Sequence, residues 1–144
     1  DLRIAAAQIV LAMPPAKLGL VYSHTGIRKF IDTIGAPRTR ELFLVGRRID
    51  ARTAREWGLI NAIAEPGKLV PEALALAEQI AANAPLSQRG NKRVIRAVLD
   101  ARARMDPEVE QELIELRQAC FSSEDFREGV RAFTEKRKPE WKGR

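Results

Sequence analysis

The 144 residues contain one cysteine, one histidine and one tyrosine. A lone Cys120 excludes an internal disulfide framework and fits a reducing compartment, so a cytoplasmic location is the expectation and no metal site is expected. Aromatic residues make up 6% of the chain, and no run approaches the ~20 apolar residues of a membrane span. Basic residues outnumber acidic ones 25 to 19, for a net charge of +6. That balance tolerates an anionic partner without identifying one. The basic residues are spread through Arg28–Lys29, Arg38–Arg40, Arg47–Arg55, Arg89–Arg104 and Lys136–Arg144 and are interleaved with Glu and Asp. No nucleic-acid motif accompanies them, so neither nucleic acid nor a membrane is an expected partner. No internal repeat, low-complexity tract or flexible linker is evident, and no signal peptide is visible.

Strands are also scarce. Candidates are Ile4–Ala7, part of Ile9–Met13, Leu20–Val21 and Ile60–Ala64. Asp1–Met13 is rich in Ile, Val, Leu and Ala with little alternation, the pattern of a strand buried on both faces. So few strands cannot satisfy their own backbone groups as a self-sufficient sheet. The chain also opens on Asp1-Leu2-Arg3 without an initiator Met. The expectation is the C-terminal part of a longer protein.

What is abundant is helix. Ile27, Phe30, Ile31 and Ile34 recur at three and four, a short amphipathic helix that Gly35 and Pro37 should end. Thr39–Val45 follows, with Leu42 and Val45 on one side and Gly46 as its stop. Asp50 is a good N-cap for Ala51–Trp57, with Gly58 at its C-terminal end and a strand over Leu59–Ala64. Leu69, Ala73, Leu76, Ala77 and Ile80 mark a helix closing near Asn83 and Pro85. Ser87–Arg104 is a further helix with Val94, Ile95, Val98 and Leu99 inward and a basic outer side. Asp106-Pro107 is a strong helix start, followed by Val109, Leu113, Leu116 and Cys120 at 4, 3, 4. Ser122 or Ser123 caps the last helix, where Phe126, Val130 and Phe133 recur. It runs into Lys136-Arg137-Lys138, favourable against the negative end of the helix dipole, and Pro139 stops it.

Between the opening strand and the first helix lies Met13–Arg28, with two prolines, two glycines, Tyr22 and His24. Loops of this kind, held by a rigid scaffold, often carry chemistry. Pro14, Lys17-Leu18-Gly19 and Gly26 resemble the active-site loop of the crotonase (enoyl-CoA hydratase/isomerase) family, which typically reads Pro-Glu-x-x-Leu-Gly. Gly46–Ala51 with Ala54–Asn61, Ile80-Ala81 through Pro85-Leu86, and Phe133–Pro139 extend the resemblance over essentially the whole chain.

The resemblance implies an α/β fold: the C-terminal part of a crotonase fold, mostly helical with a few strands and incomplete without an N-terminal β-rich core. It implies a division into 1–84, the end of the core, and 85–144, a helical region used in trimer assembly and CoA contact. The substrate would be an acyl-CoA thioester, the reaction would pass through an enolate, and both oxyanion amides would come from segments before Asp1. No separate cofactor is implied, because CoA enters with the substrate. The implied partners are the N-terminal half of the same protein and further copies, as a homotrimer or dimer of trimers.

The loop departs from the hydratases in one respect. The expected Pro-Glu is Pro14-Pro15, so the carboxylate that would act on water or a proton is absent, and the nearest carboxylates in sequence, Asp1 and Asp32, are not on the motif. Leu18-Gly19-Leu20-Val21-Tyr22 with Gly26-Ile27, Ser123–Gly129 and Glu135–Pro139 is similar to the methylmalonyl-CoA decarboxylase branch. That likeness implies a catalytic Tyr22, whose phenol hydrogen-bonds a departing carboxylate; the alternative is a Tyr that packs and bonds a backbone carbonyl. Phe133 and Lys136 are implied at the CoA nucleotide; the alternative for Lys136 is a solvated helix end. His24 is either an acid or base or a structural turn residue, while Cys120 and Trp57 read as core. The leading expectation is thus a decarboxylase-like lyase. Its rivals are hydration or isomerisation of an unusual acyl-CoA, and a non-catalytic helical assembly subunit.

Overall fold

The computed structural model describes residues 1–102 and 104–144. They form, in chain order, β1 (Ile4–Ala6), β2 (Val10–Ala12), a 3₁₀ turn (Pro15–Leu18), α1 (His24–Arg40), a π-helical turn (Glu41–Val45), β3 (Arg48–Asp50), α2 (Ala51–Glu56), β4 (Ala62–Ala64), α3 (Leu69–Ala81), α4 (Pro85–Ala101), α5 (Pro107–Ser122) and α6 (Glu124–Glu135). The chain divides into two compact units, Asp1–Leu11 with Ile49–Arg104 and Ala12–Arg48 with Met105–Arg144. Each is discontinuous in sequence.

In the first unit β1 pairs in parallel with β4, Ile4 opposite Ala62 and Ala6 opposite Ala64. Arg3 extends the ladder: its N–H donates to Asn61 Oδ1 at 2.8 Å and its carbonyl accepts from the Asn61 N–H at 2.7 Å. Asp50 caps α2 as its sequence position predicts, accepting from the Thr53 N–H at 2.8 Å. That bond holds the Asp50 carboxyl below its usual range. The buried residues here are small or branched: Ile49, Ala51, Ala54, Ile60 and Ala64. β2 and β3 form a second two-stranded pair.

Several expectations need correction. The Asp1–Met13 stretch is not one buried strand; it breaks at Ala7-Gln8 into β1 and β2, and no residue of it is buried, because each strand has a single neighbour. Leu20–Val21 has no strand partner, and the predicted Leu59–Ala64 strand is only Ala62–Ala64, since Leu59 and Ile60 close back onto the Ala54 carbonyl. Pro85 opens α4 rather than following a stop, as a residue that needs no N–H in the first turn can. Ala103, inside the predicted Ser87–Arg104 helix, lies outside the described residues. The apolar stripe of α4 is not inward: Val94, Ile95, Val98 and Leu99 are exposed, and neither α3 nor α4 buries a side chain. The α4 stripe has the periodicity of a covered face, but its four side chains are exposed, whereas α3 lies against β1.

In the second unit α1 is broken at Gly35 (φ 77°, ψ 162°), a conformation that suits glycine. Pro37 follows inside the second segment, which continues into the π-helical turn and ends at Gly46 (φ 61°). Leu42 and Phe43 are buried, whereas Val45, predicted to share the Leu42 face, points out. Asp106 and Ser123 cap α5 and α6 by accepting from the Glu108 and Phe126 N–H groups at 2.9 and 3.0 Å. Cys120, predicted as core, is half-buried. The inner face of α6 is also not the predicted Phe126, Val130, Phe133 stripe: Val130 and Phe133 are exposed, and Glu128, Gly129 and Ala132 are buried. A Cβ on Gly129 would lie 2.7 Å from the backbone of Leu18, so the helix approaches the loop too closely for a large side chain. Among the described residues no helix is long and apolar enough to cross a membrane.

Candidate active site

The loop singled out by sequence begins with the buried Pro15 at the first position of the 3₁₀ turn. Its ring supplies φ suited to the turn and no acid or base. The Leu20 N–H returns to the Pro15 carbonyl at 2.9 Å, closing the turn through Gly19 (φ 67°). Gly19 is required twice. Its backbone is left-handed, and a Cβ there would sit 2.8 Å from the Asp125 carbonyl carbon and oxygen. The aliphatic stem of Lys17 lies across Gly46 in the same manner, its Cε 2.9 Å from where a Cβ would stand.

Tyr22 follows immediately before the N-cap of α1, where Ser23 Oγ accepts from the Gly26 N–H at 3.2 Å. Its ring meets Phe43 edge to face at 5.3 Å, and Phe43 meets Phe30 at 5.1 Å. Gly26 leaves room for the Tyr22 ring; a Cβ there would overlap Cε1. The ring is therefore fixed on two sides, yet Tyr22 remains 39% exposed and its hydroxyl has no hydrogen-bond partner among the described residues. A phenol held by its body with a free polar end is able to bind an oxygen of a ligand. Beside the loop lies an open, largely apolar recess of about 450 Å³, lined in part by Leu20, Val21, Leu116, Ala119 and Cys120.

His24 is engaged elsewhere. Its Nε2 lies 3.1 Å from Glu110 Oε1, a contact that ties the start of α1 to α5. Phe133 is 76% exposed at the end of α6. Lys136 caps that helix with φ 53°, ψ 38°, the only non-glycine residue with positive φ among the described residues. The basic trio thus lies just past the helix, and the Arg137 N–H bonds the Ala132 carbonyl at 3.0 Å to close the cap. Phe133 and Lys136 share this end of α6, while no hydrogen bond or ring contact joins Tyr22 to either among the described residues. No group of three or more potential metal-ligating side chains is assembled among the described residues.

A residue that sequence reasoning passed over dominates the electrostatics. Glu128, with its side chain 9% exposed, is gripped bidentately by Arg137 (Nη1–Oε1 2.5 Å, Nη2–Oε2 3.0 Å). It also accepts from the Glu140 N–H at 3.0 Å and from Arg131 Nε at 3.1 Å. The Arg137 bonds first, then the Glu140 N–H, hold its carboxyl far below the usual carboxylate range, and the same pairing raises the Arg137 guanidinium. Nearby, Asp125 accepts from the Lys142 and Gly143 N–H groups at 2.6 and 2.9 Å. The available signal was a glutamate beside a mid-helix glycine with arginines three and nine residues on.

The sequence model of the enoyl-CoA hydratase/isomerase family matches residues 1–144. Carnitinyl-CoA dehydratase of Proteus mirabilis is 32% identical over 145 residues, covering 100% of this chain and 56% of that protein. The crystal structure of a methylmalonyl-CoA decarboxylase superposes with a TM-score of 0.88 at 33% identity, covering 100% of this chain and 56% of the other. A carnitinyl-CoA dehydratase from Mycobacterium avium gives 0.85 at 34% identity, with 100% and 56% covered. The chain spans about half the length of the curated relatives it matches. With the loop, the capped helices and the mostly helical architecture in agreement, the chain belongs to the enoyl-CoA hydratase/isomerase, or crotonase, family.

Proposed function

We propose that this chain is the C-terminal portion of an acyl-CoA enzyme that works through a thioester enolate, a methylmalonyl-CoA decarboxylase-like lyase with Tyr22 at its reacting carboxylate. The observation that carries the reading is the Tyr22 side chain, its ring fixed by Phe43 and Gly26 and its hydroxyl unpartnered. Pro15 supports it, because the motif position where a hydratase needs a carboxylate has no ionisable group. In the proposed step the bond from the α-carbon to the carboxylate breaks, CO₂ leaves, and the electron pair passes into the thioester enolate. Protonation of the α-carbon then gives the acyl-CoA. The Tyr22 O–H donates to the carboxylate and holds it out of the thioester plane, so that the breaking bond overlaps the forming enolate. Backbone amides in the upstream half carry the enolate charge on this reading.

Phe133 and Lys136 are assigned to the CoA nucleotide, Lys136 as a point charge for phosphate. Residues 85–144 are assigned to assembly as a trimer or dimer of trimers, which the open apolar face of α4 supports. Hydration or dehydration is the second reading, favoured by the carnitinyl-CoA dehydratase relatives.

The test is paired: rates for methylmalonyl-CoA and crotonyl-CoA in the full-length enzyme, wild type against Tyr22→Phe. The loss expected on methylmalonyl-CoA is about 1–3 kcal/mol of transition-state stabilisation, seen in kcat more than KM, with little change on crotonyl-CoA. Hydration of crotonyl-CoA without any decarboxylation would replace the decarboxylase with the second reading. Decarboxylation indifferent to the substitution would remove Tyr22 from the reaction.

A further inference from the structure

Glu128 lies in α6, away from the chemistry proposed above, yet it is the most heavily bonded carboxylate of its unit. Its bonds with Arg137 and the Glu140 N–H fold the segment after α6 back along that helix, while Arg131 holds it from within the helix. Asp125 repeats the arrangement one turn earlier by accepting from the Lys142 and Gly143 N–H groups. The Glu124 and Asp125 N–H groups in turn donate to the Arg144 carbonyl at 2.8 and 3.2 Å. A charged clasp therefore holds the first turns of α6, beside an open recess of about 370 Å³ lined by residues such as Glu124, Arg127 and Lys142.

The same turns form the floor under the candidate active-site loop. Gly129, the neighbour of Glu128, abuts the Leu18 backbone, and Asp125 abuts Gly19. Both contacts are backbone against backbone, with no flexible side chain to absorb a shift. Tyr22 stands only three residues beyond Gly19. A small displacement of α6 would therefore press on Leu18-Gly19, the segment that leads into Tyr22.

We infer that Glu128 is a positioning residue: by clasping the segment 137–144 to α6 it fixes the height of the helix under Leu18-Gly19 and so the placement of Tyr22. Its catalytic consequence rests on the reading of Tyr22 given above, whereas its structural consequence does not. A misplacement of order 1 Å at a reacting group can cost up to about a hundredfold in rate. A fully displaced loop is not expected from one lost charge, and a fall in kcat on the order of tenfold is.

The experiment places 3-fluorotyrosine only at position 22 of the full-length enzyme and records its fluorine resonance beside kcat and KM for methylmalonyl-CoA. Glu128→Gln removes the charge from the clasp. Gly129→Ala leaves every ion pair in place and pushes directly on Leu18. Both should move or broaden the resonance and lower kcat, with KM changed less than about twofold. Asp50→Ala, which removes an N-cap from the other unit, controls for general destabilisation and should leave the resonance where it is. An unmoved resonance in folded Glu128→Gln would overturn the inference. If that variant does not fold, an unmoved resonance in Gly129→Ala overturns it equally. A moved resonance in an enzyme whose turnover ignores Tyr22→Phe would uphold the positioning and refute the chemical role of Tyr22.

Discussion

In the unit of residues 12–48 and 105–144, the inner face of α6 is a glutamate, a glycine and an alanine, all buried. In the unit of residues 1–11 and 49–104, α3 and α4 display Val70, Leu74, Val94, Ile95 and Val98 to the outside. Hydrophobicity alone would assign these helices the opposite way. The helix lies close because Gly129 and Ala132 on its inner face are small and its buried charge, Glu128, is paired. The apolar helices are open because the unit offers no second layer. Every candidate site residue, Tyr22, Phe133 and Lys136, falls in the closed unit. The close packing of α6 and the proposed chemistry thus fall in one unit, and the exposed stripe of α4 falls in the other.

The largest effect that would sharpen this contrast is Leu42→Ala. Leu42 is 1% exposed, and truncating a side chain so enclosed should cost about 2–5 kcal/mol in urea unfolding of the full-length protein. A cost near zero would erase the packing difference between the units.

Next comes acid sensitivity of the clasp. An unfolded glutamate titrates near pH 4.3, and folded Glu128 lies far below the carboxylate range because of Arg137, the Glu140 N–H and Arg131. Between those two values the unfolded chain binds the extra proton, so the contribution is complete above the unfolded pKa and is lost as pH falls through the window. Urea midpoints followed from about pH 6 to about pH 3 should therefore drop more steeply for wild type than for Glu128→Gln. Equal slopes would mean the clasp contributes nothing to folding.

Lys136→Gly probes the end of α6 and should act in two directions. Relief of a left-handed backbone at a residue with a Cβ should stabilise the protein by about 1 kcal/mol. Loss of the ammonium should weaken CoA-ester binding at low salt, and less so at high salt. Stabilisation with unchanged affinity would return Lys136 to a solvated helix end. The smallest effect is expected at Val94, 60% exposed on α4, where Val94→Ser should change urea unfolding by less than about 0.5 kcal/mol. A large loss in the full-length protein would identify this face as covered there.

Much of this was readable from residues alone, and the pattern of success is physical. Asp50, Asp106 and Ser123 cap the helices that follow them because a cap is a local bond, decided within three residues. Gly35, Gly46 and Gly58 adopt positive φ where the sequence asks for a stop. The loop from Pro15 to Tyr22 was found through its turn residues and its motif. Apart from the local closure of Leu59 and Ile60 onto Ala54 and the start of α4 at Pro85, the failures are non-local. Strand lengths depended on partners far along the chain, as at Leu20–Val21, which found none. The inward faces of α4 and α6 depended on what lay opposite them. Glu128 was visible only as part of a motif, because its partners, Arg137 and the Glu140 N–H, lie beyond the end of its helix.

The parallel pairing of β1 with β4 has a consequence for how the chain is made. Ile4 meets Ala62 across 58 residues, and closing a flexible loop of that length costs about 3–4 kcal/mol of chain entropy. Three residue pairs cannot offset this alone, so the ladder should form only after α2 and its turn have organised β4. At ribosomal rates of about 5–20 residues per second, β1 waits about 3–12 s for its partner to be synthesised. During that interval the edge of β1 that pairs with Ala62–Ala64 stays without this partner, which is when it is most open to pairing with another strand.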